Sequence, residues 1–161
     1  MNQKRPPQSL YRSDLGSGRG YRRTRSPEAE PFWLGCQQGR LLLPRCKVCS
    51  RFHFYPRRFC PHCASRDVEW RPASGKGTLY SFAVVHQPLD KAFASSLPYC
   101  IAIVELEEGV RMQTRLVDFQ EETVYCDAPV EVDFLRVFED LTIPVFRQVE
   151  QTPSGHAAQR M

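Results

Sequence analysis

CKVCSRFHFYPRRFCPHC, residues 46–63, holds two Cys-x-x-Cys pairs separated by ten residues. Each pair makes a tight turn that aims both sulfurs inward, and two such turns can meet around one tetrahedral ion. Cys46, Cys49, Cys60 and Cys63 are therefore the candidate metal ligands. Zinc is favoured as the common structural ion, while iron fits the same four thiolates as in a rubredoxin-type site. His53 and His62 lie inside the loop, but four cysteines already complete the shell. Both histidines are expected to be bystanders or donors to the ligand sulfurs.

Outward from the knuckles, LLLPRC, FHFY and VEWR are expected as short strands, giving a zinc ribbon over residues 40–74. So few apolar residues cannot form an independent core, and the metal is expected to supply much of this module's folding free energy. Arg45, Lys47, Arg51, Arg57 and Arg58 crowd the same small unit. They serve either as a solvated face or as a cationic patch for phosphate groups, with Arg57 and Arg58 the nominated ligand-binding pair.

Upstream, residues 26–39 predict a short helix with Pro31 at its first position and Gly39 ending it. The helix puts Phe32, Trp33 and Cys36 largely on one side and, being short, must dock to persist. Phe32 and Trp33 either cover the ribbon's small core or anchor a partner protein. Residues 1–25 carry seven Lys or Arg against one Asp, with few aliphatic side chains, and predict a disordered basic tail. Such a tail is a solvated extension, an arm for an acidic partner or nucleic acid, or an organellar transit segment. Residues 151–161 predict a second disordered tail.

From Gly75 the apolar period becomes two, as in Thr78, Tyr80, Phe82, Val84 and again in Val130, Val132, Phe134. Strands are expected near 77–86, 99–106, 110–117, 130–138 and 141–149. Glu107-Glu108-Gly109 and Glu139-Asp140 mark reversals, and residues 87–98 and 118–129 are longer connections. Five short antiparallel strands suit a closed Greek-key barrel of the OB type over 75–150. The fold class is thus mainly β: short helix, rubredoxin-like ribbon, five-stranded barrel.

No apolar run is long enough to span a bilayer and no secretory leader stands out, so a cytoplasmic protein without a membrane partner is expected. Seven cysteines, four of them in metal spacing, agree with a reducing compartment. Cys36, Cys100 and Cys126 lack an adjacent base and predict small packing residues. The net charge of +4 hides an asymmetry: residues 40–74 sum to +6, whereas residues 75–150 carry six Lys or Arg against thirteen Asp or Glu. An acidic barrel repels a phosphate backbone, which disfavours the alternative of a single-stranded nucleic-acid-binding module. No nucleophile–base–acid spacing, phosphate loop or dinucleotide fingerprint appears, and His86 with Glu105, Glu107 and Glu108 defines no catalytic set.

The runs PFW, GRLLLPRC, PRRFCPHC, GKGTLYSFAVVHQP, LPYCIAIVELEEGVRMQTRLV and TIPVF together resemble the DUF35-type zinc-ribbon OB-fold proteins of acyl-CoA metabolism, over about residues 30–147. The resemblance implies an accessory subunit of a thiolase-like, sterol-carrier-type thiolase or hydratase protein. It implies acyl-CoA binding or complex assembly in lipid, steroid side-chain or polyketide-type chemistry, with no catalytic residue of its own. Ser50 and Ala64 stand where the family usually has glycine, so two non-glycine residues must accept knuckle turns that favour positive φ. Asp127 and Ala128 mark a reshaped loop where a glycine commonly precedes the fourth barrel strand.

Overall fold

The computed structural model describes residues 26–87 and 97–149. The expected tails at 1–25 and 151–161, and most of the 87–98 connection, lie outside the described residues.

A 3-10 turn at Pro27–Ala29 leads into α1, Glu30–Gln37. Proline near the start removes an amide that would have no helical partner. The end is closed by a Schellman pair: Gly39 N–H donates to Cys36 O at 3.1 Å, and Arg40 N–H to Gly35 O at 2.9 Å. Gly39 sits at φ 70°, the left-handed conformation that this cap requires.

The ribbon contains β1, Leu42–Cys46, paired antiparallel with β2, Val68–Pro72. The FHFY run, expected as a strand, is not one. Its contact with β1 is a single bridge, Arg45 to Phe52, together with His53 N–H donating to Pro44 O at 3.1 Å. Beyond that the chain bends, because Phe54 packs on Phe32 of α1, with ring centroids 5.6 Å apart, instead of continuing the alternation.

The barrel strands are β3 (Lys76–Val85), β4 (Tyr99–Leu106), β5 (Arg111–Leu116), β6 (Pro129–Phe138) and β7 (Leu141–Gln148), within a residue or so of their expected bounds. They close in the order β3-β4-β5-β7-β6. Closure uses an antiparallel β3–β6 contact and a parallel β5–β7 contact through Leu116 and Phe146. It removes open sheet edges. The buried alternation of β4 and β5 sends Cys100, Ala102, Val104, Met112 and Leu116 into the core.

Helix, ribbon and barrel share one apolar cluster. Phe32, Cys36, Leu41 and Leu43 belong to the same buried group as Leu79, Val104, Met112, Val130 and Phe146. The α1 helix lies against β1, β6 and β7, and Gln37 Nε2 donates to Asp140 O at 2.9 Å. The ribbon–barrel junction is tied by three amides. Ala73 N–H donates to Leu41 O at 2.8 Å, Ser74 N–H to a Glu108 carboxylate oxygen at 2.6 Å, and Val132 N–H to Gly75 O at 2.8 Å.

Candidate functional site

The two knuckles use the same turn. Cys46 N–H donates to Arg51 O at 2.9 Å, and Cys60 N–H to Ser65 O at 2.8 Å, each five residues on. The residue before each acceptor, Ser50 or Ala64, takes φ 60° or 58°, so both accept the left-handed conformation expected of them. Asp127 also lies at φ 65°, in the loop before β6.

This turn brings the four sulfurs within 4.8 Å of one another, with Cys46–Cys63 and Cys49–Cys60 each at 3.6 Å. A tetrahedral ion with metal–sulfur bonds of about 2.3 Å needs sulfurs about 3.8 Å apart, so the donor set fits. His62 N–H points at Cys60 Sγ at 3.4 Å, a contact from the backbone and not the imidazole. Backbone N–H groups of Cys49, then Val48, aimed at Cys46 draw its thiol down to about 7. Cys63 goes the other way: although Ser65 N–H favours its thiolate, burial and the three neighbouring cysteines push it up to about 12. Four coexisting thiolates therefore call for a cation among them.

His53 is 3 % exposed, and neither ring nitrogen has a hydrogen-bond partner among the described residues. Burial, with help from His62 and Arg57, pushes its pKa down, so the ring is neutral. Burial raises the Cys36 thiol to about 12 and the Cys100 thiol to about 11, consistent with packing residues. Cys126 is exposed. His86 meets Glu121 at 3.3 Å on the surface.

The nominated residues separate. Arg58 pairs with Glu28 of the 3-10 turn, whose carboxyl is held below its usual range first by a backbone hydrogen bond and then by Arg58. Arg57 is exposed, and among the described residues no ion pair involves it. Phe32 is 3 % exposed and lies in the core, whereas Trp33, edge-on to it at 4.9 Å and 82°, is half-buried.

Trp33 borders a groove of about 470 Å³ where α1, the 54–56 loop of the ribbon and the outer wall of the barrel meet. Phe54 and Tyr55, stacked at 4.3 Å, line it together with Ile101 and Ile143. Arg115 lies at the groove with its guanidinium 5.0 Å from the Tyr99 ring centre. Sequence reasoning missed the groove because its walls come from segments more than a hundred residues apart, from Ala29 to Pro144. The only local sign is the density of aromatics in FHFYP and PFW.

Comparison with known proteins follows this division into ribbon and barrel. Residues 33–69 match the ChsH2 rubredoxin-like zinc ribbon domain, and residues 70–135 match the ChsH2 C-terminal OB-fold domain. A DUF35 domain-containing scaffold protein of Methanocaldococcus jannaschii is 43 % identical over 97 residues, 60 % of this chain and 68 % of the relative. A probable enoyl-CoA hydratase alpha subunit of Thermomonospora curvata is 40 % identical over 117 residues, 72 % of this chain. This chain spans only 36 % of that relative's length. Among solved structures, a chain of the Ltp2-ChsH2(DUF35) aldolase superposes with a TM-score of 0.72 at 36 % identity, covering 79 % of this chain and 98 % of that one. With its four-thiolate ribbon, closed barrel and these likenesses, the chain belongs to the DUF35 family of ChsH2-type zinc-ribbon OB-fold proteins.

Proposed function

We propose that this chain is a non-catalytic accessory subunit that binds a thiolase-like or hydratase-like enzyme and assists its handling of acyl-CoA. The observation that carries the reading is the correspondence with nearly the whole of the DUF35 chain of the Ltp2-ChsH2(DUF35) aldolase. Relatedness to a hydratase alpha subunit points to the same substrate class. Zinc is the ion assigned to Cys46, Cys49, Cys60 and Cys63, with a structural role, since four protein ligands leave no open position for chemistry.

In this reading Trp33 and the neighbouring Leu34, 48 % exposed, are what α1 offers a partner, while Phe32 braces Trp33 from below. Arg57 is the cation for CoA phosphates or an acidic partner patch, and Arg58 reinforces it only by giving up Glu28. A tagged pull-down from the native cell at moderate salt tests the reading. An acyl-CoA enzyme recovered in fixed ratio is the expected result. Recovery of nothing but nuclease-sensitive, salt-labile nucleic acid would refute it.

A further inference from the structure

We infer that the groove between α1, the ribbon and the barrel is the seat of the acyl limb of an acyl thioester, with the anionic part of the ligand at its rim. The inference rests on the acyl-CoA reading above and assigns that reading a location.

Volume is the first argument. About 470 Å³ falls within the roughly 300–1,000 Å³ typical of small-molecule sites, and the walls are mainly aromatic and aliphatic. Phe32, Trp33, Phe54 and Tyr55 make a continuous run of ring contacts in its lining, to which Ile101 and Ile143 also belong. Because Phe32 is locked in the core and Phe54 is packed on it, these walls are already in place before a ligand arrives.

Charge is the second. Residues 75–150 carry thirteen acidic side chains, yet among the described residues no carboxylate lines the groove. Arg115 does line it, and Arg57 directly follows Pro56 on the ribbon wall. A mainly apolar cleft that carries Arg115 and, among the described residues, no carboxylate suits an apolar chain joined to an anionic group.

The experiment is a titration of the zinc-loaded full chain with free CoA and with butyryl-, hexanoyl- and octanoyl-CoA. Burial of methylenes strengthens binding about fourfold each, so affinity should rise on the order of a hundredfold from butyryl to octanoyl. Ile101→Asp puts a charge on the groove wall and should abolish the length dependence. Ile103→Asp, on the same outward face of β4 but outside the groove, should leave it intact. Equal affinity for free CoA and octanoyl-CoA overturns the inference, as does an equal effect of the two variants. Loss of enzyme co-purification in Ile101→Asp without any length dependence in the unaltered chain would assign the groove to protein docking instead, which also overturns it. Co-purification with the unaltered chain is read separately, so the accessory-subunit reading can stand when the groove assignment falls.

Discussion

Removing the metal should melt the ribbon and weaken the barrel without opening it. Cys46 and Cys60 are fully buried, and the knuckles place both ends of the 46–63 loop, so between them the 54–56 wall of the groove keeps only local ties such as the Phe54–Phe32 ring contact and the Arg58–Glu28 pair. Structural zinc contributes about 10–16 kcal/mol in zinc-finger peptides, far more than this segment's few apolar contacts can replace. The barrel ladder includes no ribbon strand, so its backbone pairing survives. What it loses is the cover provided by Phe32, Leu41 and Leu43, 3 %, 3 % and 0 % exposed. At about 2 kcal/mol for each buried side chain, up to roughly 6 kcal/mol of shared core is at stake. The chain carries its own two probes: both tryptophans, Trp33 and Trp70, lie on α1 and β2, and the barrel has none. Titration with a tight zinc chelator should red-shift tryptophan emission while far-UV circular dichroism keeps the barrel signal, now with a lower melting temperature. Simultaneous loss of both signals at one chelator concentration would refute the reasoning and make ribbon and barrel one cooperative unit. An unchanged emission spectrum would refute the need for metal.

Three further outcomes follow from particular residues. Gly77→Ala should cost about 1–3 kcal/mol in urea denaturation, since a Cβ would press on the backbone of Glu105 and Leu106, whereas Gly109→Ala, in open space but at φ 75°, should cost only about 1 kcal/mol. His53 has its folded pKa below the unfolded value, so its contribution is complete above about pH 6.5 and is progressively lost as pH falls from there through the folded value. His53→Phe should remove that slope, measured above the pH at which metal is released, and be neutral or stabilising at pH 7, because both ring nitrogens are unpaired. Arg57→Ala combined with Arg58→Ala should weaken CoA binding with zinc content unchanged, and Arg57→Ala alone should account for most of the effect because Arg58 is matched by Glu28. Unaltered CoA affinity in the enzyme complex would remove both arginines from the site.

The features legible in the sequence are those set by residues close together along the chain. The Cys-x-x-Cys spacing carries the knuckle turn within itself, Pro31 and Gly39 bracket α1, and period-two alternation marks the strands that become β3 to β7. Each depends on backbone geometry over a few residues, so local reading suffices. FHFY has the composition of a strand, but its fate was decided by α1, which drew Phe54 into an aromatic contact and bent the chain away from β1. Likewise Phe32 and Trp33 are neighbours in sequence that both reach the groove, yet Phe32 is fixed in the common core while Trp33 stays half-buried at its edge. Arg57 and Arg58 differ only because Glu28, thirty residues upstream, reaches the second. The groove itself exists only after β4, β5 and β7 have closed against the helix and ribbon. Packing between distant segments is a property of the assembled surfaces, and no stretch of the chain contains both sides of such a contact.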